Sequence, residues 1–403
     1  MDIHVARQPI LNRQQKLYGY ELLFRGGTTN AFPDIDGDTA TSRVLTDSFL
    51  NIGMERLAGN KPAFVNFTRE LLLKKIPLLF DPKQLVVEIL EDIAPEPDLI
   101  AACREIAAAG YPLALDDFVY RPELAPLMAL AAIIKIDVRI SPMDQVAAMA
   151  RRTASTKVRL LAEKVETIEE FAQLQDLGIA FFQGYFFARP QIVSGRDIGT
   201  SKMNLLQLIA EVNGAQIELA KIEKLIHWDV NISYKLLRYI NSAFFRRVQP
   251  VSSIKQALMM LGENGVRQFI TLIATAELAA GKPTELIRTS IVRAKFCERI
   301  AAAQPAAQDA GERFLLGLFS MIDGILDIPM ADVLAKLPLS ANITSALSGS
   351  GGPLGQVLDL VKAYESGRWD RIASISEALG IDEKLLPGLY LEALGWADAF
   401  PDL

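Results

Sequence analysis

The sequence predicts an α/β domain followed by an all-α domain, and three observations lead to this division. Up to about residue 195, short apolar runs alternate with helical patterns, as is typical of parallel strands joined by helices. From Met203 onward the strand pattern stops, and helical patterns follow one another between prolines and glycines. The length of 403 residues also exceeds what one ordinary core accommodates. We therefore predict a first domain over residues 1–197 and a second over residues 198–403.

The first domain contains short apolar runs of strand length, namely Ala63–Phe67, Leu85–Leu90, Leu113–Leu115, Ile133–Ile136, Leu160–Ala162 and Ala180–Phe182. Polar residues stand at their C-terminal ends, about 20 to 28 residues apart: Asn66, Glu88, Asp116, Asp137, Glu163 and Gln183. In a (β/α)8 barrel the C-terminal strand ends meet at one mouth, so this spacing predicts a TIM-type barrel with four carboxylates and two amides around one pocket. A doubly wound open sheet is the alternative, but the sequence contains neither GxGxxG nor a Walker motif.

The second domain is predicted to be helical throughout. Its helical patterns are Leu205–Val212, Ile217–Ile226, Asn231–Asn241, Ile254–Leu261, Val266–Leu278, Thr284–Ile300, Glu312–Ile322, Met330–Ala335, Leu354–Ser366 and Trp369–Leu379. Prolines and glycines separate many of these patterns, and no internal repeat of a solenoid kind is present.

The composition, 50% hydrophobic and 22% charged, is that of a well-buried globular protein. With a net charge of −6, the chain lacks the overall excess of basic residues that binding to a nucleic-acid polymer requires. No signal peptide and no apolar stretch of membrane-spanning length is evident, so we expect a cytoplasmic protein without a membrane partner. Cys103 and Cys297 stand in apolar helical patterns, and we interpret them as buried free thiols of a reducing compartment.

Oxygen-bearing side chains of the first domain suggest a site for hard divalent cations. Mg²⁺ and Mn²⁺ prefer carboxylate and amide oxygens, and the candidate ligands are Glu21, Asn66, Glu88 and Asp116. Asp117 lies beside Asp116, and adjacent carboxylates repel each other unless cations lie between them, so the pair suggests two metals. Lys135 would orient water or offset the charge of a phosphate. Each residue also has a structural interpretation, because a single acid at a strand end often caps a helix and a lysine at a barrel end often extends to solvent.

Seven short motifs, in order, resemble those of the EAL family. The segment Tyr18–Arg25 (YGYELLFR) resembles the one that names the family, with Leu22 in place of the usual alanine. The other segments are similar to the family's second and third metal motifs and to its DDF, KID, AEGVET and QGY motifs: Val65–Thr68, Val87–Glu91, Leu115–Phe118, Ile134–Asp137, Ala162–Thr167 and Phe182–Phe186. The match covers about residues 1–195.

The resemblance implies a phosphodiesterase that hydrolyses cyclic di-GMP to linear pGpG with Mg²⁺ or Mn²⁺ in a two-metal site. It implies that Lys135 supports the attacking water, that Glu163 acts as a carboxylate on or next to the metal, and that Gln183 orients water or ligand. Arg25 would contact a phosphate of the nucleotide. The implied metal ligands are Glu21, Asn66, Glu88 and Asp116, with Asp117 at the second metal.

Two departures from the family pattern keep a second hypothesis open. After DDF the family usually continues Gly-Thr-Gly-Tyr, whereas Val119–Pro122 reads VYRP, and bulky residues and a proline cannot reproduce the backbone of a glycine loop. Lys164 replaces the glycine of AEGVET and puts a cation near the site. The first hypothesis is a phosphodiesterase regulated by the second domain. The second is a catalytically weak or inactive barrel that acts as a cyclic di-GMP receptor or a protein-interaction module.

The second domain resembles the HDOD family through the segments Ser233–Phe245 and Ile254–Gly262. HDOD domains are helical relatives of HD phosphohydrolases, which need a His-Asp pair and further histidines. This domain has His227 as its single histidine and Phe319–Asp323 where the pair would stand, so its composition excludes phosphohydrolase activity. The order of the two parts resembles the EAL–HDOD family of bacterial signalling proteins. The resemblance implies cyclic di-GMP and a signalling protein bound through the HDOD domain as partners, and we hypothesise homodimers because EAL barrels commonly pair.

Overall fold

The computed structural model of the chain describes residues 4–24, 54–190, 200–213, 230–245, 251, 253–304, 310–337 and 339–400. Contacts divide it into two compact units. The first unit comprises Met1–Phe187 and Ala363–Asp370, and the second comprises Ala188–Lys362 and Arg371–Leu403. The predicted boundary between residues 197 and 198 lies outside the described residues.

The first unit contains a closed barrel whose strands neighbour one another in chain order. The strands are β1 (Val5–Asn12), β2 (Leu17–Phe24), β3 (Ala63–Phe67), β4 (Leu85–Ile89), β5 (Leu113–Leu115), β6 (Ile133–Asp137), β7 (Arg159–Glu163) and β8 (Phe181–Gln183). The prediction of a TIM-type barrel is confirmed, because β2 to β8 pair in parallel and the barrel closes through β1 and β8.

Strand β1 runs antiparallel to both of its neighbours, which the sequence did not predict. A tight turn joins β1 to β2: the Asn12 side-chain oxygen accepts hydrogen bonds from the backbone N–H groups of Gln14 and Lys16, and Gln15 adopts a positive φ of 56°. A connection this short permits only antiparallel pairing, because a parallel crossover needs a dozen or more residues.

Helices follow most of the parallel strands, as the alternating pattern predicts. They are α1 (Met54–Ala58), α2 (Arg69–Leu73), α3 (Pro97–Ala108), α4 (Ala125–Met128), α5 (Met143–Thr153) and α6 (Ile168–Asp176). Side-chain caps at Thr68 and Thr167, each accepting a backbone N–H three residues on, fix the starts of α2 and α6. Cys103 is buried in α3 as a free thiol, as predicted.

An apolar layer fills the barrel interior. Its buried members, one from each strand except β2, are Ile10, Phe64, Val86, Ala114, Ile133, Leu161 and Phe181. Gly19 stands at the corresponding position of β2, where an added Cβ would lie 2.6 Å from the Pro62 carbonyl oxygen and 3.2 Å from the Phe64 ring. The next inward-facing position of each strand is two residues away, since side chains alternate along a strand. A second interior layer therefore lies directly above the apolar one.

The second unit is helical, as predicted. Its described helices are α7 (Thr200–Val212), α8 (Val230–Ile240), α9 (Ile254–Leu278, with a break at Gly262), α10 (Thr284–Ala302), α11 (Ala310–Phe319), α12 (Ile322–Leu326), α13 (Met330–Leu334), α14 (Ala341–Leu347), α15 (Gly352–Glu365), α16 (Trp369–Leu379) and α17 (Leu386–Ala397). The first residues of α16 and the last of α15 belong to the first unit. Helices α12, α14 and α17 were not predicted, and the predicted pattern Ile217–Ile226 lies outside the described residues.

An aromatic cluster forms the centre of the second unit. Trp396 is 1% exposed, donates its indole N–H to the Tyr239 hydroxyl at 3.0 Å, and packs against Phe314 and Phe400. Tyr239 also stacks on Phe269 with ring centroids 5.6 Å apart. These contacts join helices that are far apart in sequence into one core. None of the described helices is long and apolar enough to cross a membrane.

Candidate metal centre

A polar layer lies at the barrel mouth, two residues along each strand from the apolar layer. Its members are Gln8, Glu21, Asn66, Glu88, Asp116, Lys135, Glu163 and Gln183. Because the parallel strands all end at this side of the barrel, the side chains at one position of each strand converge on one small volume. Strand β1 runs in the opposite direction, so its contribution lies two residues before Ile10, and Gln8 pairs directly with Glu21 of β2.

Lys135 occupies the centre of this layer. Its side chain is completely buried, and its Nζ lies 2.8 Å from Glu88 Oε1 and 2.8 Å from Asp116 Oδ1. The same Nζ is 3.0 Å from Glu163 Oε1 and 3.4 Å from Glu21 Oε1. One ammonium group is thus surrounded by four carboxylates, and the cluster carries surplus negative charge wherever these acids are ionised.

Burial and mutual repulsion shift the pKa values inside this cluster. Burial raises the pKa of Glu88 well above its ordinary value, and Glu21 and Asp116 raise it further while Lys135 opposes the shift. Burial likewise raises the pKa of Glu163 well above its ordinary value, against the opposing effect of Lys135. For Lys135, burial lowers the pKa, but the surrounding carboxylates outweigh burial and the net pKa is raised. The lysine is therefore held as an ammonium ion.

Three acids at the mouth bring oxygens close enough to share a cation. Asp116, Asp117 and Glu163 each offer a carboxylate oxygen, and these oxygens lie within 4.8 Å of one another. Asp117 adopts a positive φ of 37°, a conformation that aspartate tolerates better than most residues. Burial, and next the charge of Asp116, raise the pKa of Asp117.

Several buried oxygens of the polar layer and of the adjoining Asp117 have no hydrogen-bond donor within the described part of the chain. They are Asn66 Oδ1, Glu88 Oε2, Asp117 Oδ1 and Gln183 Oε1. Buried oxygens are normally hydrogen-bonded or bound to a cation, because desolvation without a partner is costly. Carboxylate and amide oxygens are the ligands that Mg²⁺, Mn²⁺ and Ca²⁺ prefer. The residues present therefore fit a divalent cation site.

Amide side chains orient the carboxylate of Glu21. The Gln183 Nε2 donates to Glu21 Oε2 and to Gln8 Oε1, both at 2.7 Å. The Asn66 Nδ2 lies 3.4 Å from Glu21 Oε1. Gln8 is the one member of this network that the sequence did not predict. Its signal was present in the two-residue offset from Ile10, but that offset becomes visible only once β1 is known to run backwards.

Lys164 pairs with Asp137, one step nearer the mouth. The Lys164 ammonium contacts Asp137 Oδ2, and Asp137 Oδ1 accepts the backbone N–H of Arg139 at 2.7 Å. Lys164 has a positive φ of 57°, a conformation that glycine adopts without strain. Lys164 therefore has a backbone conformation that suits the glycine of the resembling motif, and its side chain adds a cation that binds Asp137.

A cleft of about 760 Å³ opens above the polar layer. The residues lining it include the predicted site residues Glu21, Asn66, Asp116, Asp117, Glu163 and Gln183, and also Leu23, Arg139, Lys164, Tyr185, Ser366, Gly367 and Arg368. Glu88 and Lys135 lie beneath the cleft in the same ion-pair cluster. Arg25 lies outside the described residues, as does His227 of the helical unit. A volume in this range is typical of small-molecule sites.

Two family models match the chain, an EAL domain over residues 38–190 and an HDOD domain over residues 200–332. The cyclic di-GMP phosphodiesterase CdgJ of Vibrio cholerae serotype O1 is 38% identical over 397 residues, which are 98% of this chain and 92% of that protein. The chain belongs to the EAL–HDOD family. A further relative, the uncharacterized protein YuxH of Bacillus subtilis, is 38% identical over 410 residues and is aligned over 100% of both proteins.

Two solved structures are similar to parts of this EAL–HDOD chain. BlrP1 of Klebsiella pneumoniae, in a manganese/cy-diGMP complex at pH 6, has a TM-score of 0.36 and 21% identity over 46% of this chain and 55% of that one. The YkuI protein of Bacillus subtilis, which has an EAL domain and is in complex with c-di-GMP and calcium, has a TM-score of 0.38 and 18% identity. Its alignment covers 65% of this chain and 73% of that one.

Proposed function

We propose that this EAL–HDOD protein is a metal-dependent phosphodiesterase that hydrolyses cyclic di-GMP to linear pGpG under the control of its HDOD domain. The observation that carries the proposal is the polar layer with the adjoining Asp117. Lys135 contacts four carboxylates of the layer, and Asp116, Asp117 and Glu163 offer oxygens within 4.8 Å of one another. The 38% identity to a protein named a cyclic di-GMP phosphodiesterase supports the choice of substrate.

Divalent cations would be held by the oxygen donors of this layer and of Asp117. Asp116, Asp117 and Glu163 form the closest group, and Glu21, Asn66 and Glu88 supply the remaining donors. When bound, Mg²⁺ or Mn²⁺ would supply Lewis acidity that polarises the phosphodiester and activates water. The surplus of carboxylates over the single ammonium of Lys135 provides the charge that such cations need.

The reaction is the addition of water across one phosphodiester. The water oxygen bonds to phosphorus, the bond from phosphorus to a ribose 3′ oxygen breaks, and that oxygen takes a proton, which leaves a 5′-terminal phosphate. In this proposal Lys135 offsets negative charge from the centre of the layer, beneath the cleft, and Gln183 holds Glu21 in position through its hydrogen bond at 2.7 Å. Groups that are already oriented in a buried site need no reorganisation when charge develops on the substrate.

The ion pairs of Lys164 bear on the receptor hypothesis. A cation among the metal-binding acids would compete with the metal, yet the Lys164 ammonium contacts Asp137 rather than Asp116, Asp117 or Glu163. This pairing keeps the Lys164 ammonium away from the three acids that would hold the metal, as the proposed enzyme requires. Homodimer formation and a signalling partner at the HDOD domain stay predictions.

The test is hydrolysis of cyclic di-GMP by the full-length chain with Mg²⁺ or Mn²⁺, measured as pGpG by chromatography. We expect Glu21→Ala to lose both turnover and metal-dependent nucleotide binding while its thermal midpoint and circular dichroism stay close to the wild type. Glu169→Ala, which removes an exposed glutamate from the first turn of α6, is the matched control and should keep turnover. Turnover retained in Glu21→Ala would refute the site. Wild-type binding in Ca²⁺ without turnover in Mg²⁺ or Mn²⁺ would make the protein a receptor.

A further inference from the structure

The barrel unit contains a short segment from far along the chain. Residues Ala363–Asp370 belong to the first unit although they follow the HDOD-domain match, which ends at residue 332. Three of them, Ser366, Gly367 and Arg368, line the same cleft as the metal-binding acids. The cleft is therefore completed by residues that lie outside the barrel strands and their loops.

Aromatic packing holds this segment on the barrel unit. Tyr364 is fully buried, and its ring lies 6.3 Å from the His4 ring and 5.3 Å from the Trp369 ring. The Trp369 ring in turn lies 6.0 Å from His4, which immediately precedes β1. Both ends of the segment thus pack around one buried histidine, which fixes the residues between them.

The turn at Gly367 brings the backbone directly onto strand β2. Gly367 has a positive φ of 64°, and an added Cβ would lie 2.8 Å from Leu23 Cδ1 and 3.3 Å from Leu23 Cβ. The turn is closed by hydrogen bonds from the Gly367 N–H to the Tyr364 carbonyl and from the Arg368 N–H to the Ala363 carbonyl. Leu23 is two residues from Glu21, so the turn lies beside the polar layer.

Arg368 differs from the other cations of the cleft in its pairing. Among the described residues, Arg139 is paired with Glu170 and Lys164 with Asp137. The Arg368 side chain is exposed, and its Nε donates to the Ser366 hydroxyl at 3.0 Å. Within the same described part of the chain its two terminal nitrogens have no hydrogen-bond or ion-pair partner, so they are available to an anion in the cleft.

We propose that Arg368 is a substrate-binding residue that contacts a phosphodiester of cyclic di-GMP. This inference rests on the proposed function and adds a residue from outside the barrel to its site. The substrate carries two phosphodiester anions, and only one can react at the metal-binding acids at a time. A guanidinium group binds phosphate oxygens through two parallel hydrogen bonds, which an ammonium group does not reproduce. Arg368 supplies this charge at a cleft whose two other lining cations, Arg139 and Lys164, already pair with acids.

The test is the affinity for cyclic di-GMP in Ca²⁺, measured by titration calorimetry on full-length variants, with turnover in Mg²⁺ or Mn²⁺ beside it. We expect Arg368→Ala to weaken binding by about 10- to 100-fold, as the loss of a hydrogen bond to a charged group implies. Arg368→Lys should recover part of this loss, and the salt dependence of binding should become shallower in Arg368→Ala. Arg371→Ala, which removes an exposed arginine of α16 that does not line the cleft, should bind as the wild type does.

A pair of glycine variants tests the seating of the segment independently. Gly367→Leu introduces a side chain against Leu23, whereas Gly380→Leu introduces the same side chain at a φ of 65° with no atom within 4 Å of the new Cβ. Both variants carry the same backbone strain, so both should have a lower thermal midpoint than the wild type. Only Gly367→Leu should also weaken nucleotide binding.

The outcomes separate the two proposals. If the wild type binds cyclic di-GMP and Arg368→Ala binds it equally well, the role of Arg368 is overturned and the proposed function stays intact. No binding or turnover of cyclic di-GMP by the wild type would overturn the proposed function, and the role of Arg368 would fall with it. Equal weakening in Arg368→Ala and Arg371→Ala would also contradict the inference, because it would show a general effect of positive charge.

Discussion

Lys135→Met is the perturbation that examines the polar layer most directly. Methionine keeps the length and most of the apolar volume of the lysine stem and removes only the ammonium group. In the absence of metal, Glu88, Asp116, Glu163 and Glu21 would then share a buried site without a cation. The variant separates the charge of Lys135 from its packing.

The magnitude follows from the burial of the partners. Removing one member of a buried ion pair typically costs about 3–5 kcal/mol, because the other member stays behind desolvated. Lys135 and Glu88 are both completely buried, so the upper part of this range applies in metal-free solution. For a unit of this size the loss corresponds to a fall in thermal midpoint of roughly 6 to 20 °C. Divalent cations should restore stability more in the variant than in the wild type, since they replace the missing positive charge.

The pH dependence has a definite sign. Burial raises the pKa values of Glu88 and Glu163, and Lys135 opposes both shifts, so removing the lysine raises these pKa values further. An acid whose folded pKa lies above its unfolded pKa binds more protons in the folded state, so stability falls as pH rises between the two values. The loss of stability of Lys135→Met relative to the wild type should therefore become smaller as pH is lowered from 8 toward the ordinary pKa of glutamate.

The assay is thermal unfolding of both proteins with EDTA, Mg²⁺ or Mn²⁺, at several pH values. Lys75→Met is the control, because Lys75 forms an exposed pair with Glu105 and such pairs contribute about 0–1 kcal/mol. The expected loss in the free energy of unfolding of Lys135→Met in EDTA is about 3–5 kcal/mol, so a loss of less than about 1 kcal/mol would refute the reasoning. An equal effect of metal on the stability of variant and wild type would also refute it.

Three further predictions concern packing and titration elsewhere in the chain. Gly184→Ala should destabilise the barrel by about 3 kcal/mol and lower its thermal midpoint, because Gly184 has a φ of 140° and a Cβ would lie 2.1 Å from the Val165 carbonyl oxygen. Gly317→Ala should destabilise the helical unit, since its Cβ would lie 2.5 Å from the backbone of the neighbouring helix. Gly355→Ala is the contrasting variant, because no atom lies within 4 Å of the new Cβ. It should raise stability by about 0.5–1 kcal/mol in denaturant titrations. Burial raises the pKa of the Cys103 thiol from 9.0 to about 11, so the unfolded state loses its proton first and stability falls as pH rises between these values. Relative to Cys103→Ala, the wild type should lose about 2 kcal/mol of unfolding free energy over this window, and parallel pH profiles of the two proteins would contradict the assignment.

The polar layer could be predicted from the sequence because its members stand at one repeated position. Glu88, Glu163 and Gln183 end apolar runs at the spacing of a strand and a helix, and that spacing is enough to place them at one mouth. The direction of β1 could not be predicted, because Arg7, Gln8 and Pro9 interrupt the apolar alternation that would mark a strand. Gln8 was missed for this reason alone.

Contacts between distant parts of the chain could not be predicted from the sequence, for a different reason. Periodicity reports which face of an element is apolar, but it does not report what covers that face. The segment around Gly367 and Arg368 reads as an ordinary turn between two helices. Only the structure shows that this turn lies on Leu23 and lines the cleft. The pairing of Lys164 with Asp137 was equally invisible, since the sequence places a cation near the acids without saying which acid it contacts.

The discontinuous make-up of the first unit has a consequence for how the protein is made. Ribosomes synthesise the chain from its N-terminus, so the barrel strands are complete long before Ala363–Asp370 emerge. At about 5–20 residues per second, the interval between the end of β8 and residue 370 lasts roughly 10 to 40 s. During that time His4 and Leu23 lack the segment that covers them in the finished protein. The nascent barrel therefore exposes apolar surface beside its own site until Ala363–Asp370 have been synthesised.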